Sequence, residues 1–258
     1  MSDQKNSSIV KIHSTNWATE IFARIWALWG LLSFIGTFFI IYIPSMCCYL
    51  IPGNKGQYIF IKISKLWLDT WLLLIGCPLT VKGRENFAPG TAYIVTCNHN
   101  ALLDPTLSSP HIPGPNKTIA KISFAKVPIF GWYYRKGSIL VDRNSNASKL
   151  KSYEEMKEVL KQGMHMCIYP EGTRNRTADP LKKFYDGAFT LAVDTNSPIL
   201  PAVILNTRKA MPVNKKFYLL PTSLQIHFLP PVAVDHLSAK ELKDKVFNIM
   251  WDYYKLNQ

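Results

Sequence analysis

The stretch Ala92-Tyr93-Ile94-Val95-Thr96-Cys97-Asn98-His99-Asn100-Ala101-Leu102-Leu103-Asp104-Pro105 sets a short apolar run directly against a polar loop and a helix start. Ala92–Cys97 reads as a strand, since a brief apolar run rich in β-formers suits a strand buried in a sheet. It gives way to loop at Asn98-His99. Five residues of continuous helix turn through about 500°, so on a helix His99 and Asp104 would diverge. They meet only if the intervening segment turns. Asp104-Pro105 supplies a reason, because Asp favours the N-cap and Pro the first helical position. Asp104 is then either a plain cap or the carboxylate that orients the imidazole of His99 for taking a proton from an alcohol. No serine sits in a recognisable elbow nearby, so such a hydroxyl would belong to a substrate.

Outward from this stretch the pattern repeats. Further strands are expected at Leu79–Lys82, Thr118–Ile122, Ser138–Val141, His165–Tyr169, Ile199–Leu205, Phe217–Leu220 and Leu224–Phe228. A helix is expected over 147–162, with Leu150, Tyr153, Met156, Val159 and Leu160 on its apolar stripe. A second runs over 239–255, opened by the capping box Ser238-Ala239-Lys240-Glu241 and burying Leu242, Val246, Ile249, Met250 and Tyr253. Strands interleaved with helices indicate an α/β domain.

Pro105 to Val141 contains no acidic residue but five basic ones. Lys121 is placed beside an expected strand, and Arg143 follows another after Asp142, so both have defined positions. Tyr169-Pro170-Glu171-Gly172-Thr173-Arg174 follows the strand at 165. Glycine permits close approach of the backbone to an anion, threonine offers a hydroxyl, and arginine grips phosphate bidentately.

The N-terminal region is different. Thirty residues between Arg24 and Lys55 carry no charge, and a helix crossing a bilayer needs about 20. The run is too long for a cleavable signal and lacks a cleavage site. Pro44, Pro52 and Gly53 predict a kink or an end in its second half. Ile59–Leu79 is apolar too, but Lys62, Lys65 and Asp69 suit it to an interface rather than to spanning. Basic residues flank both ends of the first stretch, Lys5, Lys11 and Arg24 before it and Lys55 after, which fits a helical pair dipping into one leaflet and returning.

Net charge is +13, from 30 Lys+Arg against 17 Asp+Glu, as expected for an anionic partner. Many of the Trp and Tyr residues lie in or beside apolar stretches rather than among basic ones, an arrangement that reads as membrane interface more readily than as a base-stacking platform for nucleic acid. The five cysteines have no metal-ligand spacing and read as small buried residues in a reducing compartment. No metal or cofactor is implied. Asn116-Lys117-Thr118 and Asn175-Arg176-Thr177 match the glycosylation sequon by chance.

Four motifs in this order closely resemble the 1-acylglycerol-3-phosphate acyltransferase family: Asn98-His99-x4-Asp104, Gly137 through Asp142-Arg143, Tyr169 through Arg174, and Ile199-Leu200-Pro201-Ala202-Val203. The resemblance implies an α/β fold, a glycerolipid-acyltransferase mixed sheet flanked by helices behind an N-terminal two-helix membrane motif. It divides the chain into a tail (1–23), a membrane-embedded helical segment (24–78) and an acyltransferase domain (79–258). It implies His99 as general base and Asp104 as its orienting partner. Lys121, Arg143, Glu171, Gly172, Thr173 and Arg174 would form or shape the site for the acceptor phosphate. The implied reaction joins an acyl group from acyl-CoA or acyl carrier protein to lysophosphatidic acid, making phosphatidic acid among membrane lipids. The implied setting is the cytoplasmic face of a bacterial inner membrane. One departure stands out: many members carry Phe-Lys-x-Gly after the third motif, and this chain has Phe184-Tyr185-Asp186-Gly187, with Lys182 and Lys183 upstream. Another lyso-lipid acceptor, such as an aminoacyl lipid, is the alternative on the same fold. A lipid-binding protein without turnover and a hydrolase are the others.

Overall fold

The computed structural model describes residues 16–258. Lys5, Lys11 and most of the expected tail lie outside the described residues. In chain order the elements are α1 (Trp17–Cys47), α2 (Gly53–Leu74), β1 (Leu79–Lys82), β2 (Ile94–Cys97), α3 (Asp104–Leu107), β3 (Asn116–Lys121), α4 (Phe130–Gly137), β4 (Ser138–Val141), α5 (Asn146–Lys161), β5 (His165–Ile168), α6 (Gly187–Thr195), β6 (Ile199–Leu205), α7 (Thr207–Ala210), β7 (Leu224–Phe228) and α8 (Ala239–Asn257).

The seven strands form one sheet in the order β1-β7-β6-β2-β5-β3-β4. β6, β2, β5, β3 and β4 run parallel, and β7 is antiparallel to β6. The carboxyl ends of five neighbouring strands therefore share one edge, the place where open α/β sheets bind ligands. Side chains alternate across the sheet. Val95, Cys97, Cys167, Leu200 and Ile204 join one core with α1 and α2, while Ile94, Met166, Ile168, Ile199 and Val203 join another with α5, α6 and α8. The result is an α/β/α sandwich in which α2 covers one sheet face and α1 lies against α2.

Four indoles tie that pair together. Trp26 and Trp29 of α1 donate to the carbonyls of Ile75 (2.9 Å) and Leu74 (3.0 Å), which the end of α2 leaves unpaired. Trp67 and Trp71 of α2 donate back to Thr37 Oγ1 and to the Gly30 carbonyl. At the turn between the helices the backbones nearly touch: a Cβ on Gly56 would stand 2.2 Å from the Ile51 carbonyl oxygen. Backbone cannot yield as a side-chain tip does, so Gly56→Ala should cost about 1–3 kcal/mol. That corresponds to a drop of roughly 3–10 °C in apparent Tm in detergent; an unchanged melt would mean the turn is free to open.

Four expectations are corrected. The helix begins at Trp17 rather than near Arg24, because the Asn16 side chain accepts from Ala18 N–H and starts it early; residues 17–23 are helix, not tail. Phe217–Leu220 is not a strand: the Leu219 N–H bonds Ala23 of α1 and the Leu220 N–H bonds Ala210, so these amides pair with helices and not with a sheet. Leu150 is exposed, off the buried stripe of α5. Cys47 is exposed, against the reading of all five cysteines as buried; the other four are buried. Asn116 and Asn175, the sequon residues, are fully buried, which agrees with a chance match.

Candidate active site

β2 ends at Cys97, and the next side chain, Asn98, continues the sheet by other means. Its amide exchanges hydrogen bonds with the Ile204 backbone of β6, donating at 2.9 Å and accepting at 2.6 Å. That pins the strand exit, so His99 leaves the sheet edge from a fixed point. The segment then turns as the two side chains require. His99 Nδ1 donates to Asp104 Oδ2 at 2.8 Å, and the Asn100 and Ala101 amides donate to the same oxygen at 2.5 and 2.8 Å. The carboxylate thus faces back into its own loop and does not cap the helix it starts. Asp104 is fully buried, while His99 stays partly open. A carboxylate only accepts, so Nδ1 carries the proton and Nε2 keeps its lone pair. Among the described residues Nε2 has no hydrogen-bond partner. The ring of Tyr169 lies 4.6 Å from that of His99, and its hydroxyl is held by Ser108 at 2.6 Å.

The loop after β5 closes on this one through Glu171. Its two oxygens accept from the His99 amide (2.8 Å) and the Lys182 amide (3.0 Å). The side chain is fully buried, so Glu171 braces two loops and reaches no ligand. Burial pushes its carboxyl up to about 7; the two amides oppose the rise and nearby Asp104 adds to it. Gly172 also differs from expectation. Its N–H and that of Thr173 bond Tyr169 and Glu171 carbonyls, so these amides do not cradle an anion. Gly172 is required instead by its φ of +70° and by Tyr185, whose ring a Cβ would meet at 2.8 Å.

What remains open to a ligand is a ring of side chains. Arg143, at the end of β4, donates to the Gly172 carbonyl. Lys182 donates to Thr173 Oγ1 at 2.6 Å. Arg174 is half-buried and makes no side-chain hydrogen bond among the described residues. Lys121 is exposed at the end of β3, the strand between β4 and β5. The Arg143–Gly172 contact therefore crosses above it, since strands two apart are separated by about 10 Å. His99, Asp104, Glu171, Gly172, Thr173 and Arg143 are joined in one cluster; Lys121 shares its edge and, among the described residues, makes no side-chain hydrogen bond to it. The Tyr185-Asp186 departure has a structural use: Tyr185 packs on Gly172, and Asp186 pairs with Lys243 of α8 at 2.6 Å. Lys182 supplies an ammonium at the same loop.

Several residues escaped sequence reasoning. Arg208 of α7 donates to Asn100 Oδ1 and to the Thr177 carbonyl, each at 3.0 Å, and Asn100 donates to the Tyr254 hydroxyl at 3.2 Å. The rule that parallel strands present function at their carboxyl ends could have found Arg208, three residues past β6. Nothing local marks Tyr254. From the opposite side, His111 bridges the Leu107 carbonyl and Asp69 of α2, at 2.7 Å each, tying the helix that bears Asp104 to the N-terminal pair.

Residues 78–205 match the family model described as Acyltransferase. The chain is 31% identical to the 1-acyl-sn-glycerol-3-phosphate acyltransferase of Borreliella burgdorferi, over 74% of this chain and 73% of that protein. It is 32% identical to the enzyme of that name from Chlamydomonas reinhardtii over 59% of this chain, and spans about half (47%) of that protein's length. The crystal structure of the 1-acyl-sn-glycerophosphate (LPA) acyltransferase PlsC from Thermotoga maritima superposes with a TM-score of 0.78, covering 92% of this chain and 96% of that one at 23% identity. That likeness shows the fold.

Proposed function

The chain belongs to the 1-acyl-sn-glycerol-3-phosphate acyltransferase family, and from that premise we propose that it transfers a fatty acyl group from acyl-CoA or acyl carrier protein to the sn-2 hydroxyl of 1-acyl-glycerol-3-phosphate, yielding phosphatidic acid. The observation that carries the reading is the His99–Asp104 hydrogen bond of 2.8 Å beside a ring of cations. Asp104 keeps the proton on Nδ1, so Nε2 takes the proton of the acceptor hydroxyl as its oxygen attacks the thioester carbonyl. The tetrahedral intermediate collapses with cleavage of the C–S bond, and the imidazolium returns its proton to the departing thiolate. No acyl-enzyme is needed. The thiol of Cys167 in β5 is fully buried and out of reach of a thioester.

Arg143, Thr173, Arg174 and Lys182 would hold the acceptor phosphate, with Lys121 at the rim. Charge-assisted hydrogen bonds of this kind contribute about 1.5–3 kcal/mol each. Arg174→Ala should therefore raise the KM for lysophosphatidic acid about 10- to 100-fold, with little change in the KM for the thioester. A change confined to the donor would remove Arg174 from the phosphate site.

In the same reading the helical pair α1 and α2 (Trp17–Leu74) is the membrane-embedded segment and 79–258 the acyltransferase domain. α1 is long and apolar enough to cross a bilayer, yet it is tied to the rest of the chain along its length. Glu20 pairs with Lys215, the Ala23 carbonyl accepts from Leu219, and Phe38 packs on Phe130 and Tyr133. A spanning helix would leave about 20 residues to lipid alone. These contacts support insertion into one leaflet, which we place on the cytoplasmic side of a bacterial inner membrane, where the donors are found.

The test is turnover in mixed micelles with palmitoyl thioester and a panel of lyso-lipids, products read by mass spectrometry. Phosphatidic acid from lysophosphatidic acid is expected. Free fatty acid without an acylated lipid would indicate a hydrolase, and acylation of a different lyso-lipid would move the question to the acceptor.

A further inference from the structure

We propose that the α/β domain itself seats on the lipid surface, through two loops tipped by Ile129 and Phe217 at opposite ends of α1. The inference rests on the membrane reading above and adds contacts outside the two N-terminal helices.

Six non-glycine residues among those described have positive φ; four are polar (Asn196, Asn206, Asp235, His236), and the apolar two are Ile129 (φ 62°) and Phe217 (φ 50°). A bulky side chain in this region is strained. Both are also exposed, at 44% and 50%. In a turn facing water, glycine or asparagine would avoid the strain and the exposure together. The combination makes sense where the side chain has an apolar phase to enter.

Each tip has the surroundings such a phase needs. Around Ile129, the side chains of Ile122, Phe124, Val127 and Trp132 are exposed as well. No acidic residue occurs between Pro105 and Val141, and Lys126, Arg135 and Lys136 stand three, six and seven residues from Ile129. The loop is held rigid: the Gly131 N–H bonds the Val127 carbonyl at 2.8 Å, and Arg135 donates to the Ala125 carbonyl. Phe217 follows Lys215 and Lys216, and Arg24 donates to the Lys216 carbonyl at 3.3 Å. Apolar tips with a basic fringe fit an anionic lipid surface.

The two loops are continuous with the exposed face of α1. Tyr49, just past its end, donates to the Trp132 carbonyl at 2.9 Å. At the other end the Leu219 N–H bonds Ala23. Ile25, Leu32, Ile40 and Ile43 are exposed along α1 between these contacts. One helix thus carries an apolar face with a strained apolar tip beside each end.

The test uses the full chain with Cys47→Ser, which leaves the other cysteines buried, and a nitrobenzoxadiazole label on one new cysteine at a time. Labels at Val127→Cys and Lys216→Cys report on the loops, and Ile40→Cys on α1. Leu150→Cys, on the α5 side of the sheet, is the control that should stay in water. With phosphatidylcholine vesicles containing phosphatidylglycerol and a shallow doxyl lipid, the labels at 127, 216 and 40 should lose most of their emission and that at 150 should not. Quenching at 40 without 127 and 216 would leave membrane attachment standing and overturn the proposal. No quenching at any position would sink both. Loop labels that respond to soluble acyl carrier protein and not to vesicles would make this a protein-docking surface and also overturn it.

Discussion

Replacing His99 with Ala should abolish turnover while the chain keeps its fold and its lipid attachment. A positioned general base contributes about 10²–10⁴-fold, so residual activity should fall by at least that much. The fold should survive because Asp104 keeps its two backbone donors, the Asn100 and Ala101 amides, and Asn98 still pins the strand exit. The informative companion is Asp104→Asn. An amide oxygen can still accept from Nδ1–H, so the tautomer survives, but the charge that stabilises the imidazolium is gone. A loss of about 10²- to 10⁴-fold is expected, the span that positioned acid–base groups contribute. If the two act as one unit, the double variant should be no worse than His99→Ala alone. Thiol release followed with a trapping dye gives all three rates. Additive losses, or activity retained without His99, would mean that the proton leaves by another route.

The parts of this site legible in the sequence are those that local chemistry encodes. Strands β1, β4, β6 and β7 coincide with their apolar runs, and β2, β3 and β5 lie within two residues of theirs. His99, Glu171 and Arg143 each stand one to three residues past such a run, so placing the runs in one parallel sheet would gather them at one edge. What could not be read is what depends on the third dimension. Phe217–Leu220 has strand-like composition, and only the nearness of α1 and α7 shows where its amides go. Tyr254 lies 154 residues from Asn100, with no pattern joining them. Residue type did not separate Glu171 the brace from Arg174 the open cation; burial did. The apolar N-terminus was the clearest signal of all, yet composition could not tell that α2 would cover one sheet face while α1 turned outward. That division rests on which side chains the sheet presents, Val95, Leu200 and Ile204 among them.

Glu171→Gln tests the brace and should be a damaging isosteric change although Glu171 touches no substrate. A carboxylate accepts from both the His99 and the Lys182 amides. Glutamine can accept from one and must set its own N–H₂ against the other. A buried donor without an acceptor costs about 1–3 kcal/mol, and the damage falls on the backbone of the proposed base or on the lysine that supports Thr173. Since a misplacement of about 1 Å can cost 10²-fold in rate, kcat should drop about that much, with a rise in the lysophosphatidic acid KM if the Lys182 side moves. The second readout is pH. Glu171 sits at about 7 in the folded chain because burial disfavours its charged form, against about 4.3 when unfolded. Between those values the folded chain binds more protons than the unfolded one. Stability therefore falls as pH rises through that window and levels off above 7, by on the order of 3 kcal/mol in total. Glutamine does not titrate, so the apparent Tm of Glu171→Gln should decline less from pH 5 to 7 than that of the wild type, even though it starts lower. Parallel Tm–pH curves would mean that another group titrates there. A variant with normal kcat would mean that the His99 loop holds itself and that the carboxylate between the loops is incidental.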